Sequence, residues 1–187
     1  MLLSRCLLLA SLAAAGPAVA GDLSYSYGEA RAVAADARGP GEARGLSLNG
    51  SLTLTRTVFA GLRYVDLGED GDQRLGTERA TLLAGMRYPF TPMVDIVGFA
   101  GVLHEAVHRP RGDDRGIGLV LGGGGRAALG SRYEASARIE YTQIFSDGIT
   151  AIAGEALWHV THQFSLLAGA EASVQERTAT VGARLQF

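Results

Sequence analysis

The chain has 187 residues, a formal net charge of −2 and a single cysteine, Cys6. Its length fits one domain, and its charge balance provides no clustered basic surface, so we expect no nucleic-acid partner. Glycine is abundant, with 26 residues, whereas proline is scarce, with 5. Many small residues and few prolines suit strands that curve tightly.

The first twenty residues have the three parts of a secretory signal peptide. Arg5 supplies a positive charge, and Cys6–Ala15 is an apolar run of about ten residues. Ala18 and Ala20 then form a small-x-small cleavage site. An uncleaved membrane anchor is the alternative, but this apolar run is short for a spanning helix, which needs about twenty residues.

The predicted division is therefore a signal peptide over 1–20 and one domain over 21–187. Because Cys6 lies in the signal, the mature chain would hold no cysteine, which excludes a disulfide, a thiolate nucleophile and a cysteine-bound metal. The mature part has no uninterrupted apolar run of about eighteen residues, which excludes a helical membrane protein. Segments of about ten residues that alternate apolar and polar follow instead, and they are typical of transmembrane strands.

Ten such segments follow one another, separated by short charged or glycine-rich stretches. In the second, Leu46 and Leu48 lie on one face and the serine between them lies on the other. A period of two with one apolar face is that of a β-strand. The first segment, about Leu23–Val33, contains Glu29 and Arg31, and its facing is ambiguous. The segments begin near Leu23, Leu46, Thr57, Ala80, Val94, Gly116, Tyr133, Thr150, Phe164 and Thr178.

These segments predict an all-β fold, a closed antiparallel transmembrane β-barrel of about ten strands. An even count matches bacterial single-chain barrels, and closure satisfies every backbone N–H and C=O, which hydrocarbon requires. Eight strands is the alternative if the first and eighth segments are misread. Connections after every second segment are tight, whereas 34–44, 68–77 and 106–115 are longer and charged. Short periplasmic turns and longer outer loops are typical of outer-membrane barrels.

The polar faces carry arginines and carboxylates in nearly equal numbers, and we expect them to point into the lumen. A small barrel is only just wide enough for its own side chains, and an unpaired buried charge is costly. We therefore expect a paired network that largely fills the lumen; a narrow ion path and a lumen-side binding site are the alternatives. The predicted network consists of Arg63, Arg87, Asp95, Glu105, Arg126, Glu134, Arg138, Glu140, Glu155, Glu171 and Arg184.

Several motifs carry little chemistry. Gly122–Gly125 lacks the Lys-Ser/Thr of a phosphate loop, and the acidic stretch Glu69–Asp72 lacks the spacing of a calcium loop. An enzyme would need a histidine with a carboxylate and a nucleophile or activated water. At the predicted outer rim only His104, Glu105 and His108 could contribute. We therefore predict no catalytic, cofactor-binding or metal-binding residue.

With Gly21–Tyr27 at the expected mature start, Gly61–Val65 in a middle strand and Val181–Phe187 at the end, the chain resembles a known family. This family is that of the small outer-membrane β-barrel proteins of Gram-negative bacteria, including opacity proteins and OmpA-like barrels. The resemblance covers essentially all of the mature chain. It implies an outer-membrane location, contact with outer-membrane lipid, insertion by the outer-membrane assembly machinery and escort by periplasmic chaperones.

The resemblance also implies a role for the last strand. Members of the family end in a phenylalanine that the insertion machinery reads. Phe187, with Leu185 and Val181 on the same apolar face, is therefore the expected assembly signal.

The expected function is a structural or envelope-interaction role, carried out by a monomeric outer-membrane barrel with a charged, largely filled lumen. The resemblance supplies no catalytic residues, and the short outer loops of this chain weaken an adhesion role. Three alternatives stay open: a narrow pore for ions or small solutes, an outer-leaflet lipid-modifying enzyme or protease, and a soluble periplasmic barrel with an apolar ligand. The last would need apolar residues inward, and the inward arginines and glutamates argue against it.

Overall fold

The computed structural model describes residues 23–37, 42–69, 72–108, 112, 114–144 and 147–187. The predicted signal peptide, with its cleavage residues Ala18 and Ala20, lies outside them. Within the described ranges, no helix is long and apolar enough to cross a membrane. The strands are β1 (Tyr27–Ala37), β2 (Glu42–Thr53), β3 (Val58–Glu69), β4 (Asp72–Thr91), β5 (Val94–His108), β6 (Asp114–Ala128), β7 (Tyr133–Ile144), β8 (Asp147–His159), β9 (Phe164–Ser173) and β10 (Glu176–Gln186).

The ten strands form a closed barrel in which each strand pairs antiparallel with its neighbours along the chain. β1 closes the ring by pairing with β10, from Tyr27 opposite Gln186 to Ala37 opposite Glu176. The predicted all-β class and ten-strand barrel are therefore confirmed, and the eight-strand alternative is wrong. The first and eighth strands, on which that alternative depended, each pair on both sides. Closure leaves no open edge, so the ladder pairs the backbone polar groups of the strands.

The connections divide between the two ends of the barrel. The terminal end carries the start of β1, the end of β10 and the short connections 54–57, 92–93, 129–132 and 160–163. The loop end carries the other five connections, parts of which lie outside the described residues. The first and last described residues therefore lie on the side of the short turns, as in outer-membrane barrels.

At the loop end the strands run further than the alternation predicts. The predicted connection 68–77 is largely strand, because β3 continues to Glu69 and β4 begins at Asp72. Asp66 is opposite Glu78 in this part of the ladder, and both are exposed. Backbone pairing thus continues beyond the band of apolar outward residues. The alternation in the sequence predicts only the part of each strand that lies within this apolar band. Beyond the band the outer face meets water, so polar side chains can lie on either face of the strand.

Exposure alternates along the strands. On β6, Ile117 and Leu119 are exposed, at 77% and 62%, whereas Val120 is buried. The facing of the first strand, which the sequence left ambiguous, is settled by the same alternation. Glu29 and Arg31 point into the lumen, and the alanines that alternate with them are exposed.

The beginning of the first strand was predicted wrongly. The alternation placed this strand over about Leu23–Val33, but it spans Tyr27–Ala37. Ser26 still bonds to Thr53 and Phe187 in the wall, whereas Leu23–Tyr25 turn into the lumen, where Leu23 and Tyr25 are buried. These residues alternate like a strand, but their apolar members pack inside the barrel and do not face lipid.

Part of the wall is made of glycines, which bring the strands and rings close together. A Cβ atom on Gly124 of β6 would lie 2.1 Å from the carbonyl oxygen of Ala137 on β7, so this approach requires glycine. The Phe99 ring of β5 lies across Gly122, where a Cβ would be 2.4 Å from the ring. The four-glycine run is therefore a packing feature of the barrel wall.

Candidate functional site

The largest group of charged side chains lies inside the barrel toward the terminal end. Arg184 on β10 donates to Glu29 on β1 and to Glu155 on β8, the latter at 2.8 Å. Arg31 pairs with the same two carboxylates and lies 2.5 Å from Glu155. Two arginines and two glutamates thus alternate around a ring, so each charge has two opposite charges beside it.

Glu134 on β7 extends this group to β6. Arg184 Nη1 lies 3.5 Å from Glu134 Oε1, and Arg126 donates to both oxygens of Glu134, from Nη2 at 3.0 Å. The side chains of Arg184 and Glu134 are only 4% and 2% exposed, so their charges need partners inside the protein. The planar arginine fork suits two carboxylates at once. We call this group the terminal network: Glu29, Arg31, Arg126, Glu134, Glu155 and Arg184.

A second group of ion pairs crosses the lumen. Arg63 Nη1 on β3 lies 3.2 Å from Glu140 Oε1 on β7, and these strands are four positions apart in a ring of ten. Arg138 stands beside this pair, 3.7 Å from Glu140 and 3.0 Å from Glu171 on β9. The Arg63–Glu140 pair therefore joins nearly opposite walls, and we call it the cross-lumen pair.

Two further pairs join β4 to β5. Arg87 Nη1 lies 3.5 Å from Asp95 Oδ2 at the terminal end, and Arg79 lies 2.5 Å from Glu105 at the loop end. Sequence reasoning missed Arg79, which lies just before the predicted start of its segment. Its alternation with Thr81, a buried polar residue of the same strand, was the signal that could have found it.

The structure places all eleven residues of the predicted network on the inner face. Each of them lies within ion-pair distance of an opposite charge. Three residues that the prediction did not place there complete the pairs: Glu29, Arg31 and Arg79. Seven arginines are thus matched by seven carboxylates, so these pairs leave the lumen without a large net charge.

Residues 23–26, which we call the N-terminal segment, lie in the terminal mouth of the lumen. Arg126 donates from Nη1 to the carbonyl oxygen of Ser24 at 2.7 Å. Arg87 donates from Nη1 to the carbonyl oxygen of Leu23 at 3.2 Å. Both arginines also keep their carboxylate partners, so they join the segment to the wall of the barrel.

The side chain of Tyr25 anchors the N-terminal segment. Its ring centroid is 5.1 Å from that of Phe59, and the guanidinium carbons of Arg126 and Arg87 lie 4.7 and 5.2 Å from it. Such cation–π contacts stabilise the ring position. Burial raises the pKa of the Tyr25 phenol despite the opposing field of Arg126, so the ring stays neutral. The apolar residues packed around this cluster are Leu83, Val97, Phe99 and Ala128.

A cavity of about 370 Å³ occupies the rest of the lumen. It extends from Tyr25 to Glu176 near the loop end, and it has room for on the order of ten water molecules. Charged pairs line much of its wall, including the cross-lumen pair. An apolar patch on β5, β6 and β7 consists of Leu103, Val120 and Ile144.

The histidines near the loop end do not converge on one site. His104 is exposed on the outer face, whereas Glu105 faces the lumen and pairs with Arg79.

A contact that sequence reasoning missed joins His159 Nδ1 to Ser165 Oγ at 2.7 Å. Ser165 has no exposed surface, so its hydroxyl is closed to substrate in this structure. Among the described residues, no group of three or more His, Cys, Asp or Glu could hold a metal ion.

The three residues of the predicted assembly signal lie on or beside the outer face of β10. Val181 and Leu185 are exposed. Phe187 follows the strand, and its N–H donates to the carbonyl oxygen of Ser26 at 3.1 Å. The last residue therefore continues the seam at which β1 and β10 close the barrel.

Comparison with solved structures shows this fold in known proteins. The NanC porin has a TM-score of 0.57 at 9% identity, over 86% of this chain and 100% of that one. The KdgM porin in complex with disordered oligogalacturonate has a TM-score of 0.52 at 11% identity, over 86% and 99%. An outer membrane channel from Pseudomonas putida F1 has a TM-score of 0.51 at 12% identity, over 92% and 100%. No family model and no curated protein matches the chain.

These likenesses define the class of the fold, a closed antiparallel barrel of the outer-membrane type. They agree with the predicted kind of protein, a small outer-membrane barrel. None of the three is an opacity or OmpA-like protein, so the narrower family remains a prediction. Identities of about a tenth show the fold alone. What this chain does has to be argued from its own lumen.

Proposed function

We propose that this chain is a monomeric integral protein of the Gram-negative outer membrane, with a structural or interaction role in the envelope and a lumen closed by its own residues. The fold supports this proposal, as do the apolar outward faces that suit lipid. Export would use the signal peptide predicted over 1–20. Periplasmic chaperones would then deliver the chain to the assembly machinery, which would read Phe187.

The filled terminal end carries the proposal of a closed lumen, and the cross-lumen pair narrows the cavity further along the barrel. Arg63 and Glu140 reach toward each other from nearly opposite walls and meet at 3.2 Å. At the terminal end, the terminal network and the N-terminal segment occupy the interior from different sides. A solute would have to displace the N-terminal segment or separate the buried pairs of the terminal network, and separating buried partners is costly.

Conductance of the inserted protein tests this proposal. The mature protein would be folded into planar lipid bilayers, with insertion verified by the mobility shift between unboiled and boiled samples on gels. We expect no single-channel steps from the wild type. Stable steps from verified wild-type insertions would contradict the closed lumen.

A narrow channel for ions or small polar solutes is the second candidate. The cavity of about 370 Å³ favours it, because this space reaches from the loop end toward the terminal end. The balanced charges of the lumen argue against a strong preference for either sign of ion. If the wild type conducts, Glu140→Gln should change the conductance, whereas the outward and exposed Glu78→Gln should not.

A further inference from the structure

The terminal half of the lumen is filled from two sides. The terminal network belongs to the wall that runs from β6 through β10 to β1. The facing wall carries small and apolar inward residues there, among them Phe59, Gly85 and Val97. Leu23 and Tyr25 of the N-terminal segment lie against this apolar wall. The segment therefore fills the part of the cross-section that the network leaves.

We propose that the N-terminal segment is a plug for the terminal mouth, and that its release opens a narrow polar path through the barrel. The plug would regulate the lumen that the proposed function describes as closed. This inference rests on the proposed insertion of the barrel into the outer membrane.

The segment can leave without breaking the barrel. β1 pairs with both of its neighbours from Tyr27 onward, and Ser26 extends this pairing by accepting from the N–H groups of Phe187 and Thr53. Residues 23–25 contribute nothing to these two ladders, so they can leave while Ser26 stays. Arg87 and Arg126 hold the segment through its carbonyl oxygens, and their carboxylate partners Asp95 and Glu134 stay in place without it. Release therefore leaves no arginine unpaired, and the main penalty of opening a charged lumen is absent.

The released state would join the cavity to the terminal mouth. The path would run along the apolar wall on one side and the paired charges of the terminal network on the other. Because arginines and carboxylates balance, we expect small ions of both signs to pass. The plug therefore controls whether the lumen conducts, and the network limits what size of solute it admits.

Deleting the plug tests this inference. One variant of the mature chain would start at Ser26, and a second would carry Tyr25→Ala in the full mature chain. Tyr133→Ala is the matched control, because it removes a tyrosine at the same end of the barrel from the exposed outer face. A third measurement uses Val97→Cys, with and without the plug, and a thiol reagent that does not cross membranes. The mature chain holds no other cysteine.

We expect discrete conductance steps from the deletion, and an open fraction on the order of tenfold higher in Tyr25→Ala than in the control. Labelling of Val97→Cys should accelerate by a similar factor when the plug is absent. A folded, heat-modifiable deletion variant that stays silent and unlabelled would overturn the plug. If the deletion fails to fold, Tyr25→Ala decides in the same way, through its open fraction and through the labelling rate of Val97→Cys combined with it. A wild type without a heat-dependent shift would instead overturn the proposed membrane insertion, and labelling alone would then judge the plug.

Discussion

The buried pair of Arg126 and Glu134 gives a quantitative test of the terminal network. We would replace each by glutamine, in Arg126→Gln and Glu134→Gln, and combine the two. Glutamine keeps much of the length and polarity of both side chains but removes the charge. The two side chains are 8% and 2% exposed and share two hydrogen bonds, so water cannot replace the lost partner.

The expected magnitude follows from this burial. Removing one member of a buried ion pair costs about 3–5 kcal/mol, because the other charge stays behind. Arg126→Gln should lie at the upper end, because it also loses the hydrogen bond to Ser24, worth about 1 kcal/mol. The double variant leaves neither charge of the pair, so its cost should fall short of the sum of the single costs by about 2 kcal/mol or more.

Unfolding in urea, with the barrel in detergent micelles or vesicles, would measure these costs. The single tryptophan, Trp158, is exposed on the outer face and reports loss of the lipid environment. The rim pair of Arg79 and Glu105 is the control, because Arg79 is 39% exposed and a pair so open to water contributes at most about 1 kcal/mol. The account of the terminal network would be refuted if the cost of the double variant equalled the sum of the two single costs within about 0.5 kcal/mol. It would also be refuted if the single costs were no larger than those measured for the rim pair.

Three further outcomes follow from the geometry. Gly124→Val should abolish the folded barrel, because its Cβ would collide with the Ala137 carbonyl. The outward Gly125→Val is the control and should fold, because its Cβ position is 3.8 Å from the nearest backbone atom. Equal yields of heat-modifiable protein from the two variants would contradict this prediction. Deleting Phe187 should lower that yield several-fold in cells, and an unchanged yield would count against the assembly signal. Tyr25→Phe keeps the ring contacts and removes only the hydroxyl beside Asp95 and Arg126, so it should lower the free energy of unfolding by about 1 kcal/mol at most; a loss of several kcal/mol would show that the hydroxyl and not the ring holds the segment.

The sequence predicts the membrane-facing architecture of this protein because lipid imposes a strict rule. Every outward position in the apolar band must be apolar or small, so Leu46 and Leu48 on β2, or Ile117 and Leu119 on β6, identify both strand and facing. The inward charges follow from the same period of two. The number of strands follows by counting, and closure is required because an open edge would leave unpaired backbone groups in hydrocarbon.

Partners across the lumen could not be predicted, because they depend on how the strands are staggered around the ring. Arg63 and Glu140 lie 77 positions apart in sequence, and no local pattern links them. The position of the N-terminal segment could not be predicted for a different reason. Leu23 and Tyr25 alternate with serines like a strand, but they face the interior of the barrel, where the lipid rule does not apply. Glu29 and Arg31 were ambiguous because their neighbours are alanines, which suit either face.

The most direct test of the whole account is fractionation of cells that express the protein, followed by gel mobility of unboiled and boiled samples. The account predicts that the protein occurs in the outer-membrane fraction and that the unboiled form migrates faster, because a closed barrel stays folded in detergent. A soluble periplasmic protein with the same mobility in both samples would contradict both the membrane location and the lipid-facing assignment of the outer surface.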